Sequence, residues 1–199
     1  MKSEKEIAEI LQRELSAYRM SHILGVVGEA EKIARIHGED VEKARLAALL
    51  HDSTKETDTE NQLKMIRESG ILFEEEMTAF PQLLHAVSGS VRAKKEFDVS
   101  EEVASAIRWH ATGRPGMTKL EMIVYLADLT EPTRRFAEDE DTRRLRALAY
   151  KSLEAASAYE AWLIIERERV REHRLWHDTE ETYAYYQPFL KEMENENEN

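Results

Sequence analysis

In residues 41–52, VEKARLAALLHD, an apolar run of helical period ends on two ionisable side chains, His51 and Asp52. Asp40 stands just ahead of the run, where a short acidic side chain caps a helix N-terminus. An imidazole and a carboxylate at the end of an apolar helix are costly to bury unless something pairs with them. Adjacent residues differ by about 100° around a helix. His51 and Asp52 therefore reach one point only if it lies off the helix end or in the angle between them.

Outward from this stretch, helical periodicity dominates. Ser3 with Glu6 reads as a capping box ahead of the apolar face Ile7, Ile10, Leu11 and Leu15. A second helix is expected from about Ser21 to His37, stopping at Gly38, and TENQLKMIRES forms another that closes at Gly70. Leu83 to Phe97 and Ser100 to His110 read as two more, followed by the turn ATGRPGM. Thr118 with Glu121 opens a helix through Asp128. One long charged helix is expected over much of Thr142 to His173, and a further segment from Thr179 to about Lys191. The polar ENENEN end is expected to be disordered. There is no strand-like alternation, no internal repeat and no composition break. The expected fold is all-α: one helical bundle over about 1–192, its motif core about 19–135 and a helical extension about 139–192, with a disordered tail at 193–199.

Composition agrees. A chain of 199 residues is long enough for one well-buried core. With only 7 Gly and 4 Pro, the many tight turns of an all-β protein are poorly supplied. The absence of cysteine excludes disulfides, thiolate zinc sites and a Cys nucleophile. No stretch approaches the roughly 18 apolar residues a membrane span needs, and the start lacks an apolar leader, so a cytoplasmic location is expected. A net charge of −12 argues against nucleic-acid or anionic-membrane partners. A polyanionic substrate would have to be held by metal ions or a local cationic cluster.

Four histidines sit at helix ends or in apolar helices: His22 in RMSHILGV, His51, His85 in QLLHAV and His110 in AIRWHATG. Asp52 and Asp128, the latter in MIVYLAD, have matching surroundings. Any one of these histidines alone is more simply a helix cap or a core hydrogen-bonder. The ordered set H…HD…H…H…D argues for metal. Imidazole and carboxylate ligands without sulfur suit iron, manganese, zinc or nickel. A central carboxylate can bridge two ions. Such a pair, about 3.5–4 Å apart, holds phosphate oxygens and generates a hydroxide nucleophile at neutral pH. Lys55, Arg114, Arg134 and Arg135 lie beside the same motifs and are candidate phosphate clamps. Arg92, Lys94 and Lys95 read as a solvated face, and His173 and His177 as exposed. GRPG lacks the phosphate-loop pattern, and no GxSxG elbow occurs.

The ordered motifs His22-x-x-Gly25-Val26, His51-Asp52-x-x-Lys55, His85, WHATGRPGM (Trp109 to Met117) and YLADLTEPTR (Tyr125 to Arg134) resemble the HD-domain superfamily. Within it, they are similar to the YqeK-type symmetrical bis(5'-nucleosyl)-tetraphosphatase family over about Arg19 to Arg135. The resemblance implies an α-helical HD fold with two divalent or trivalent metal ions of iron type. By position, His22, His51, Asp52 and Asp128 would hold one ion and His85 and His110 the other, with Asp52 bridging. It further implies a homodimer that hydrolyses diadenosine tetraphosphate to two ADP. Asp52 and Lys55 are then the candidate catalytic residues, and Lys55, Thr112, Arg114 and Arg134 the candidate substrate-binding ones. Ile23 and Met122 depart from the family, which often has Thr and Lys there. Alternatives are an HD-type nucleotidase acting on mononucleotides, or a metal- or nucleotide-binding regulatory module without turnover.

Overall fold

Short polar caps and left-handed glycines divide the chain into helices. The computed structural model describes residues 2–198 and, among these, contains no strand. The helices are α1 (Glu4–Glu14), α2 (Ala17–His37), α3 (Val41–Leu50), α4 (Thr59–Ser69), α5 (Leu84–Phe97), α6 (Glu101–Trp109), α7 (Lys119–Thr130), α8 (Glu140–Ala149), α9 (Leu153–Val170) and α10 (His177–Glu198). Two 3-10 turns, Glu75–Ala79 and Pro81–Leu83, lead into α5. Ser3 with Glu6 and Thr118 with Glu121 form the expected capping boxes. Asp40 and Ser100 accept from the backbones of Lys43 and Val103. Gly38, at φ 66°, and Gly70, at φ 72°, end α2 and α4 in the left-handed conformation that glycine adopts without steric penalty.

The core forms around α7, which is buried almost all round from Leu120 to Ala127, as expected of a helix enclosed by others. Helices α2, α3, α6, α8 and α9 pack on it. A smaller apolar cluster of Ile66, Met77, Phe80, Leu84, Val87 and Trp176 joins α4, the 3-10 turns and α5 to the segment ahead of α10.

Three expectations about boundaries are corrected. Helix α2 starts at Ala17 rather than near Ser21, because Ser16 accepts from Arg19 N–H and caps it. The single long helix expected over Thr142 to His173 is two, α8 and α9. Ser152 accepts from Ala155 N–H and starts the second, and Arg171 closes it before His173. Helix α10 continues through 193–198, where low complexity pointed to disorder. Extending an established helix costs far less than nucleating one. Asn199 lies outside the described residues. Among the described residues, no helix is long and apolar enough to cross a membrane.

Candidate metal centre

The expected ligands come together from three helices and the ends of two others. His22 lies inside α2, His51 follows the last turn of α3 with Asp52 next to it, and His85 is in the first turn of α5. His110 follows α6, and Asp128 sits in the last turn of α7. The four histidines and Asp52 are buried, and Asp128 is half-buried.

The orientation of each ring is set from behind. His51 Nδ1 donates to Ala48 O at 2.6 Å, His85 Nδ1 to Gln82 O at 2.8 Å, and His110 Nδ1 to Ile107 O at 2.7 Å. Each accepting carbonyl lies three residues back along the chain. His22 Nδ1 is 2.9 Å from the Glu131 carboxylate. With the proton held on Nδ1 by these carbonyls, the Nε2 lone pairs of His51, His85 and His110 face the common centre, and His22 Nε2 faces it beside Asp128 Oδ1 at 3.0 Å.

Asp52 divides that centre in two. Its Oδ2 is 3.7 Å from His22 Nε2 and 3.5 Å from His51 Nε2. Its Oδ1 is 3.3 Å from His85 Nε2 and 3.8 Å from His110 Nε2. Asp128 Oδ1 adds to the first side, 3.0 Å from His22 Nε2. Ligand atoms of His22, His51 and Asp128 lie within 4.8 Å of one another, as do those of His51, Asp52 and His110. His51 therefore stands between the two sides, and the oxygen partition of Asp52 assigns it to the His22 side.

This arrangement fits metal and fits little else. His85 and His110 bring their Nε2 atoms to 3.0 Å, and His22 and His51 to 3.4 Å. Facing lone pairs at such distances repel unless a cation lies between them. A proton is a poor candidate between the first pair. Burial, with the Lys55 charge, holds His85 well below its ordinary range, and burial, with His51 beside it, holds His110 at about 4. Asp52 is acidified: burial alone would raise its pKa, but the fields of His51, His85 and Lys55 outweigh it.

A cavity of about 390 Å³ opens beside the centre, with His85, His110, Asp128, Lys55 and Arg134 in its wall. Lys55 Nζ is 3.1 Å from the His85 ring nitrogens, and burial lowers its pKa. Arg134 donates to Asp128 O through Nε at 3.0 Å and Nη2 at 2.9 Å, and its Nη2 also bonds the Asp128 carboxylate. Two expected substrate ligands lie elsewhere. Thr112 is buried and donates to Gly113 O at 2.9 Å, while its own carbonyl accepts from Thr182 Oγ1 at 3.2 Å. Arg114 forks onto Glu121 Oε1 and Oε2 at 3.0 and 2.9 Å. Glu121 is the buried acid that caps α7, so Arg114 is drawn to the turn rather than the cavity. Arg135 makes no part of the cavity wall. His173 and His177 pair separately with Glu168 and Glu74.

Three contributions escape a reading of motifs. Arg19 Nη1 donates to Asp52 Oδ2 at 2.5 Å; its position three residues before His22, on the same helical face, was the available signal. Glu131, quoted within a motif, supports His22. Glu160 of α9 lines the cavity while buried, its Oε2 without a partner, and burial together with the Asp128 charge raises its pKa well above the carboxylate range. Nothing in AYEAWLIIERER singles it out from a helix's solvated acids.

Residues 19–133 match the HD domain family model. The chain is 37% identical over 137 residues to the symmetrical bis(5'-nucleosyl)-tetraphosphatase of Halalkalibacterium halodurans, covering 68% of this chain and 72% of that one. It is 35% identical over 147 residues to the enzyme of the same name from Bacillus subtilis, covering 71% and 76%. Its structure is similar to a crystal structure from Clostridium acetobutylicum, described as a predicted HD superfamily hydrolase involved in NAD metabolism. The TM-score is 0.89 at 34% identity, over 94% of this chain and 98% of that one. With its paired histidines, the aspartate between them and these relatives, the chain belongs to the HD domain family, in the branch of the symmetrical bis(5'-nucleosyl)-tetraphosphatases.

Proposed function

We propose that this chain hydrolyses dinucleoside polyphosphates symmetrically, diadenosine tetraphosphate to two ADP, at a centre of two metal ions, with iron as the physiological metal. The observation that carries the reading is the convergence of four histidine Nε2 atoms on the two oxygens of Asp52, at the wall of a cavity that also holds Lys55 and Arg134. The names of the relatives support the substrate class. The cavity volume of about 390 Å³ is within the range of small-molecule sites, about 300–1,000 Å³. The resemblance also supports a cytoplasmic homodimer.

Bound ions supply charge neutralisation at phosphate oxygens and an acidified water at neutral pH. His22, His51 and Asp128 would hold one and His85 and His110 the other, with one Asp52 oxygen directed to each. Arg19 fixes Asp52 Oδ2 and so orients the carboxylate between the two sides. Lys55 offers a point charge at the cavity wall for the polyphosphate. Arg134 uses Nε and Nη2 on Asp128, which leaves Nη1 for a phosphate oxygen. Water would add to one of the two central phosphorus atoms as the central P–O–P bond breaks, so that one ADP leaves through its terminal phosphate oxygen, whose negative charge these cations stabilise without a separate acid, and the phosphorus attacked becomes the terminal phosphate of the other ADP. Thr112 and Arg114 serve the turn that carries His110. Incubation with diadenosine tetraphosphate, ATP and AMP tests the substrate. ADP from the first as the sole nucleotide product is expected; release of phosphate from AMP alone contradicts the proposal.

A further inference from the structure

Three of the four histidines are oriented by a backbone carbonyl three residues back, and all three sit at helix ends, where carbonyls or turns are available. His22 differs. It lies in the interior of α2, where carbonyls are committed to the helix ladder, so its support must come from another element. The Glu131 carboxylate, at the C-cap of α7, supplies it at 2.9 Å. That carboxylate is almost completely enclosed, at 1% exposure, and is itself held in place. Thr133 N–H donates to Oε2 at 2.5 Å and Thr133 Oγ1 to Oε1 at 2.9 Å. Gly25 completes the seat. It follows His22 by three residues on the same face of α2, and a Cβ there would stand 2.4 Å from Glu131 Oε2.

A carboxylate behind an imidazole does more than orient it: its charge makes the opposite nitrogen a stronger donor than a neutral carbonyl does. We propose that Glu131 is a positioning residue which, acting through His22 and admitted by Gly25, makes the His22–His51–Asp128 side the tighter of the two metal positions. This rests on the reading of the centre as dinuclear. The ion on that side would be the first to load and the last to leave, with the His85–His110 side filling second.

Titration of the metal-free full chain with Co²⁺, followed by its visible absorption and by competition with a chelator, reads both affinities without any assay of turnover. The wild-type chain is expected to show two unequal sites. Glu131→Gln keeps the hydrogen bond to Nδ1 but removes the charge, and should weaken the first site by about 10- to 100-fold while leaving the second within error. Gly25→Ala, which displaces the carboxylate, should shift the same site in the same direction. Circular dichroism of the metal-free variants separates lost affinity from lost folding. Equal weakening of both sites, or unchanged constants in a folded Glu131→Gln chain, overturns the inference. A wild-type chain that binds two Co²⁺ ions with equal affinity also overturns it, with the dinuclear reading intact; one that binds none overturns both.

Discussion

Asp52 turns one oxygen to each pair of histidines, so its side chain is where the two halves of the centre meet. Lys55 lies on the cavity side of that centre and ligates nothing. Lys55→Ala is expected to retain the metal while turnover falls on the order of 10²-fold, the usual scale for removing one group that stabilises developing charge. Steady-state kinetics beside elemental analysis checks this; a parallel loss of metal would make Lys55 a structural residue instead. The buried imidazoles also set a pH dependence for the metal-free chain. His85 and His110 titrate below the ordinary value of about 6.5, His110 at about 4, so the unfolded chain takes up their protons first. Their contribution is complete above about pH 6.5 and is lost as the pH falls towards 4. His22 runs the other way. Burial lowers its pKa, but bonds to Asp128 and Glu131 outweigh it, so what it adds is present at low pH and lost as pH rises. His177 and Glu160, whose pKa values are raised as well, run with His22. Substitution isolates the opposing pair: chelator-treated His110→Gln is expected to lose less of its urea midpoint between pH 7 and pH 5 than the wild-type chain does, and an equal or greater loss would contradict this. At this scale the residues that converge on Asp52 were legible in the sequence, because each is an ionisable group ending or interrupting an apolar run. The sequence did not disclose Arg19 or Glu160, whose significance comes from what other helices bring next to them.

Helix limits were legible wherever a local device sets them. Ser3, Asp40 and Thr118 cap their helices as read, Ser100 caps the helix it was read to begin, and Gly38 and Gly70 stop theirs. The break between α8 and α9 was missed because apolar and charged residues continue through Tyr150 to Ser152 without a glycine or proline. The 3-10 turns before α5 were equally hidden, as their geometry answers to packing against Trp176. That indole closes the smaller core, edge-on to Phe80 with centroids 5.3 Å apart, and also forms part of the cavity wall. Trp176→Ala is expected to cost about 3–5 kcal/mol of stability and to raise KM more than it lowers kcat. Thermal unfolding and steady-state kinetics on the variant test the two halves of that statement. A KM equal to the wild type would remove Trp176 from the substrate cavity.

For the whole molecule, the segment beyond the motif core packs against that core. Helices α8 and α9 pack on α7, α9 buries Leu153, Ala155, Ala156, Ala158, Tyr159 and Leu163, and the segment after it walls the cavity. The Clostridium structure follows 94% of the chain, well past the last motif. A chain ending at residue 138 would expose α7 and is expected to lose its cooperative thermal transition; a sharp transition in that fragment would make the extension a separate appendage. The fold class was readable because helical period pervades the chain. The union of extension and core was not, since it depends on packing between distant segments. Everything proposed for the chemistry depends on metal occupancy. Elemental analysis of protein purified without chelators, and again after anaerobic reconstitution with Fe²⁺, tests it most directly. The expected result is two ions per chain, falling to one or none in Asp52→Ala. A single ion in the wild type, or two retained in the variant, would contradict a centre bridged by Asp52.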